Sequence, residues 1–326
     1  MQTLNQLYFY QLYDNLFIKV LILPIKKYNF AKSSKMKNYR GILFMIIASF
    51  AFAAMGVFVK RLGKDFDTVE IVLFRNLFGV IFILFSIWQK PLVQTGGKPV
   101  LLLFRGFIGT VALYAFAYNL VHMSLGEAFT FYQTSAFFIA FFSYFVLKEK
   151  LNTYSWIGLF LGFLGILVIF RPDIQLFSPN NLMGLTNGLF SAAAYMAVSE
   201  LKKHYDTRSI VLSFMAWGIL LPLISMSIGH FYYSPTLSVV LSQAKMPEWK
   251  NAFDIICVGL CALAGQIYAT RAYGLEKAGI VSAISYSNVV FSVIFGIFIG
   301  DKMPDALSFL GMFLIVLSGL IISLTK

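Results

Sequence analysis

The chain has 326 residues, of which 59% are hydrophobic and 12% charged, with a mean hydropathy of +0.78; soluble domains carry about a quarter charged residues, so a wholly soluble protein is excluded and a lipid-exposed surface is required. The net charge of +12 does not point to nucleic acid, because the basic residues stand at the ends of apolar runs and do not cluster on one soluble face. Cys257 and Cys261 lie four apart inside an apolar run, without a CxxC pair or a histidine cluster, and read as packing residues, so no metal and no cofactor is expected.

Residues 1–36 are expected to form an N-terminal extension, with translation beginning at Met36. Its one apolar stretch, 16–25, is interrupted by Lys19, closed by Pro24 and too short to span a bilayer. From there the apolar runs predict helices over 41–60, 69–88, 99–120, 124–147, 153–170, 182–201, 209–230, 253–274, 279–299 and 306–325. Most are roughly 18 to 22 residues long, the length that crosses about 30 Å of hydrocarbon. Pro91 with Gly96 and Gly97, Arg171 with Pro172, Pro179 with Asn180, and Pro304 punctuate the runs. Short connections make sequence neighbours antiparallel neighbours in space; the segment 231–252, with Pro235 and Pro247, is a loop.

With both termini placed in the cytoplasm, 17 Lys and Arg residues fall on the cytoplasmic side and seven on the other, or 12 and seven without the first 35 residues. Positive residues are retained inside, so this is the expected orientation, in a bacterial inner membrane crossed many times. The two halves show weak self-similarity. An offset of 153 brings Gly126 onto Gly279, Phe138 onto Phe291 and Phe142 onto Phe295, and an offset of 143 brings Gly41 onto Gly184 and Lys60 onto Lys203. Because five is odd, a duplicated five-helix unit inserts its second copy upside down. The expected fold is therefore all-α, ten transmembrane helices in two inverted five-helix repeats, 37–172 and 180–326, with a site near the midplane where they meet.

Several motifs resemble the EamA type of the drug/metabolite transporter superfamily. They are ASFAFAAMGVFVK (48–60), FRN (74–76), LGEAF (125–129) leading to LKEKL (147–151), and IGDKM (299–303), in that order over residues 37–326. RGFIG (105–109) is similar to the branch that holds S-adenosylmethionine-like and riboflavin-like uptake carriers. The resemblance implies a secondary carrier of a small metabolite. The family's frequent proline in helices 4 and 9 is replaced here by Ser135 and Ala136, and by Asn288 and Val289. A membrane-embedded enzyme or a channel are the competing readings, but there is no H-E-x-x-H, no G-x-S-x-G and no charged pore ring.

Polar residues spaced four apart share one helix face, and such faces turn away from lipid. The candidate cavity-lining residues are Tyr114 and Tyr118 of helix 3, Gln133 of helix 4, Asn187, Ser191 and Tyr195 of helix 6, Gln266 of helix 8, and Ser285 and Asn288 of helix 9. Their competing role is interhelical hydrogen bonding, worth about 0.6 kcal/mol each. The set suits an uncharged or zwitterionic ligand, such as an amino acid or a nucleoside-like or vitamin-like metabolite. Beyond substrate and lipid, a homodimer is the remaining partner considered. Arg75 and Arg105 lie inside helices, where an unpaired cation costs roughly 2.5 to 3.5 kcal/mol. Arg75 is expected to pair with Glu70 or another carboxylate rather than meet an anionic substrate, and Arg105 to reach for the cytoplasmic face.

Overall fold

The computed structural model describes residues 39–145, 148, 152–170, 179–232, 240–243, 245–301 and 305–324. The extension expected over 1–36, and all of the LKEKL stretch except Lys148, lie outside them. The described chain forms α1 (Arg40–Leu62), α2 (Thr68–Gln89), α3 (Pro99–His122), α4 (Leu125–Phe145), α5 (Thr153–Phe170), α6 (Pro179–Leu201), α7 (Thr207–Phe231), α8 (Trp249–Leu275), α9 (Ala278–Ile284), α10 (Ser287–Phe298) and α11 (Ala306–Leu324). Each apolar run meets one helix, except the ninth, which is broken into α9 and α10. Among the described residues, six segments, α1, α2, α3, α7, α8 and the α9–α10 pair, are by length and composition apolar enough to cross a membrane. The 23 residues of α1 extend about 34 Å at 1.5 Å per residue.

Helix ends follow local chemistry. Pro99 stands in the first turn of α3, where a missing N–H costs nothing. Asp67 and Glu70 form a capping box on α2, and Glu248 and Asn251 form one on α8. Asp206 caps α7 by accepting from the Arg208 N–H at 2.9 Å. Burial pushes the Asp206 carboxyl up, but its hydrogen bonds from Arg208 prevail and hold it below its ordinary value.

Lipid cannot satisfy a stray backbone group, so the two interruptions in the helices are informative. Pro222 lies inside α7 and has no N–H to offer the Gly218 carbonyl four residues earlier. Asn76 Nδ2 of α2 donates to that carbonyl instead, at 3.3 Å. The α9–α10 break needs no proline: Asn288 N–H reaches back only three residues, to the Ser285 carbonyl at 2.9 Å. That carbonyl also accepts from Gln133 Nε2 of α4, while the Ser285 hydroxyl lies 3.0 Å from Gln133 Oε1.

The helix pairings repeat when five is added to the position in the bundle, counting α9–α10 as the ninth helix and α11 as the tenth. The first packs on the eighth as the sixth packs on the third. The second meets the eighth as the seventh meets the third, and the fourth meets the sixth as the ninth meets the first. The second and seventh, fourth and ninth, and fifth and tenth pair with their own counterparts. Such a pattern is that of a pseudo-twofold axis through the middle of the bundle.

Ion pairs mark its two ends. Lys60 pairs with Asp301, and Arg61 Nε lies 3.1 Å from Asp254 Oδ2. At the opposite end Lys98 Nζ pairs with Glu200 at 2.5 Å, and the Thr95 and Gly96 N–H groups donate to the His204 carbonyl at 3.0 Å. Of the segment expected as a loop over 231–252, Phe231 ends α7 and residues 249–252 open α8; the described part between them, 232, 240–243 and 245–248, is non-helical and folds over the Lys60 end, with Ser242 Oγ donating to Asp67 Oδ2 at 3.1 Å.

Candidate functional site

Side chains from α1, α2, α3, α4, α6, α7 and α8 wall a buried cavity at the centre of the bundle. Its greasy wall is Phe52, Met55, Leu113, Phe116, Phe129 and Phe214, and its polar groups are Arg75, Arg105, Tyr132, Asn187, Ser191, Tyr195 and Gln266. No Asp or Glu lines it among the described residues.

The two arginines dominate its electrostatics. Arg75 is 3% exposed and Arg105 is 2% exposed. Arg75 Nη1 donates to Asn76 Oδ1 at 3.2 Å and Nε to Met55 Sδ at 3.3 Å, both neutral acceptors. Arg105 Nη2 donates to Gln266 Oε1 at 3.2 Å, and its Nε–H is buried without an acceptor. Both guanidinium groups use the ring of Phe214, whose centroid is 5.4 Å from Arg75 Cζ and 4.5 Å from Arg105 Cζ. A cation over a desolvated ring gains about 2 kcal/mol, which offsets part of the burial cost.

The expected pair between Arg75 and Glu70 is absent. Five residues around a helix leave the two on different faces, and the Glu70 carboxylate is occupied by the Asp67 N–H at 2.9 Å and the Lys245 N–H. Nor does Arg105 extend to the membrane surface. Gly109, one turn along, has no side chain to block it: a Cβ there would stand 2.7 Å from Arg105 Nη1.

Of the residues singled out in the sequence, Asn187, Ser191, Tyr195, Gln266, Arg75 and Arg105 come together on this wall. Asn187 Nδ2 is held by the Ala112 carbonyl at 2.8 Å, while its Oδ1 has no partner. Tyr195 accepts from Tyr132 at 3.0 Å and stacks on Tyr273 with centroids 4.8 Å apart. The others are placed elsewhere. Tyr114 lies 3.3 Å from Ser225 Oγ of α7, and Tyr118 stacks on His122 near the end of α3. Gln133 and Ser285 hold the α9–α10 break, and Asn288 is fully buried beside it with neither amide atom bonded.

Tyr132 and Phe214 are cavity residues that the polar stripes do not reveal. Tyr132 precedes Gln133, about 100° away around α4, so choosing the face of Gln133 turns Tyr132 aside. One signal was available: a tyrosine hydroxyl buried in mid-helix needs a hydrogen-bond partner. Phe214 carries no polar group at all and is indistinguishable in sequence from packing phenylalanines.

A model of the EamA-like transporter family matches residues 39–171. Over 290 residues the chain is 31% identical to an uncharacterized transporter of Helicobacter pylori, covering 87% of this chain and 94% of that protein. It is 30% identical to the pseudopaline exporter CntI of Pseudomonas aeruginosa, covering 88% and 96%. It is also 28% identical to human solute carrier family 35 member G1, covering 81% and 73%. A solved crystal structure superposes with a TM-score of 0.69 at 14% identity over 89% of this chain and 99% of that one, a likeness of fold. With a match of this identity running nearly end to end in both proteins, the chain belongs to the EamA-like transporter family.

Proposed function

We propose that the protein is a secondary carrier that moves a small metabolite across the inner membrane by alternating access. Residues 37–172 and 180–326 act as two inverted halves that rock about the central cavity. The observation that supports this reading is that one buried polar cavity takes its wall from helices of both segments. The transporter names of the relatives support it. Both termini lie in the cytoplasm in this reading, on the strength of the 17-to-seven distribution of basic residues.

Substrate contact is assigned to Asn187, Ser191, Tyr195 and Gln266 together with the two arginines, and helix packing to Gln133 and Ser285. The test is uptake of a labelled metabolite panel into proteoliposomes. Ser191→Ala, Tyr195→Phe and Gln266→Leu should each slow transport of a substrate so found by roughly two- to tenfold, the worth of one neutral hydrogen bond, with normal yields of folded protein. Gln133→Ala should instead lower the yield. Loss of folded protein in proportion to loss of transport at all four positions would refute the assignment.

A further inference from the structure

We propose that the central cavity selects an organic dianion, a molecule carrying two carboxylates or a phosphate ester, which Arg75 and Arg105 bind together. The proposal rests on the carrier reading for the molecule's passage, but not for its binding.

Three observations carry it. First, both arginines are buried on the cavity wall, and among the described residues neither has a carboxylate within ion-pair distance. A guanidinium has five N–H donors. Arg75 spends two on neutral acceptors and Arg105 one, and the Arg105 Nε–H is sealed from water with no acceptor. A buried charge is ordinarily paired, so these two lack a partner that the protein itself does not provide. Second, both lean on the one ring of Phe214, which keeps the two cations within about 10 Å of each other. A compact molecule with two negative ends can reach both. Third, the rest of the lining offers no competing charge: Tyr132 and Tyr195 line the same space with their hydroxyls 3.0 Å apart, and among the described residues no acid lines it to receive an ammonium group.

This charge pattern departs from the uncharged or zwitterionic ligand that the polar stripes suggest. A zwitterion would add its own cation to a site that already holds two and no anion. A neutral ligand would leave both unpaired. The aromatic rings of Phe116, Phe129 and Phe214 supply an apolar wall for a carbon skeleton between the charged ends.

Binding to the purified full-length protein in lipid nanodiscs, followed by calorimetry and by thermal stabilisation, tests this without requiring transport. The probes are succinate, glycerol phosphate, butyrate and the neutral dimethyl ester of succinate. Succinate or glycerol phosphate should bind, and the better of them should exceed butyrate and the diester by at least roughly tenfold, the loss of one charge-assisted contact. Arg75→Gln and Arg105→Gln should each weaken it by roughly ten- to a hundredfold, with Arg75→Lys and Arg105→Lys retaining part of the affinity. Should the Gln variants fail to fold, the wild-type comparison of dianion with diester still decides. Equal binding of succinate and its diester, or no binding of either dianion, overturns the proposal. A dianion that binds but never crosses a proteoliposome membrane would instead refute the carrier reading and leave the site standing.

Discussion

A methyl group at position 109 would stand 2.7 Å from Arg105 Nη1, closer than real side chains pack, and in a tight contact of 3.0 Å with Phe214 Cδ2. The backbone of α3 is spared because the first of these atoms is the far end of a flexible side chain. Gly109→Ala should therefore displace the guanidinium from Phe214 and break its 3.2 Å hydrogen bond to Gln266, at a cost of about 1 kcal/mol in stability. Transport should fall by at least tenfold, as expected where a cation leaves its binding position. Uptake assays beside thermal melts would check this; unchanged transport would mean that Arg105 acts from elsewhere. At this scale the sequence marks an arginine with a glycine four residues on, and no more. Whether a long cationic side chain turns outward to the headgroups or inward to a cavity depends on what faces it, and here the facing residues, Phe214 and Gln266, come from helices more than one hundred residues away.

The elements of the bundle are fastened where a helix leaves a carbonyl free. In α7 the Gly218 carbonyl lacks the N–H that Pro222 cannot give, and Asn76 of the FRN motif fills the gap while also receiving Arg75 Nη1. Gly218 fits this arrangement, since a Cβ there would lie 2.3 Å from Asn76 Nδ2. Asn76→Leu should cost about 1 to 3 kcal/mol, the penalty for a buried unsatisfied group, read as lost thermal stability in detergent. The penalty should shrink when Pro222→Ala restores an N–H to α7, giving a coupling of at least about 0.5 kcal/mol in the double-mutant cycle. Additive effects would show that the two residues do not share the carbonyl. Helix positions were legible because an apolar run of spanning length has few alternatives. The breaks were not. With the usual proline of helix 9 replaced by Asn288 and Val289, nothing local announces that the chain turns at Ser285. The turn becomes visible only when Gln133, over 150 residues away in sequence, is seen on the Ser285 carbonyl.

For the whole molecule, the ion pairs between the halves found among the described residues are gathered at the two ends. Lys60 with Asp301 and Arg61 with Asp254 join them at one end, and Lys98 with Glu200 at the other. Asp301 also accepts from the Leu125 N–H at 3.0 Å, so the end of α10 is held by both α1 and the start of α4. Partly exposed pairs are worth at most about 1 kcal/mol each, weak enough to break once in a transport cycle. The ion pairs that cross between the halves were not readable in the sequence, because charge alone does not reveal a partner. Rocking of two halves about a central cavity requires that one end close as the other opens. This is tested most directly by electron-spin distance measurements in nanodiscs, with one label pair at Lys64 and Glu248 and a second at Lys90 and Lys203, in the wild-type protein and in Lys60→Gln. Loss of the Lys60 tie, worth up to about 1 kcal/mol, shifts a two-state balance by up to roughly fivefold. The account predicts that the 64–248 distance lengthens in Lys60→Gln while the 90–203 distance shortens. Lengthening at both ends, or movement at the first with none at the second, would contradict it.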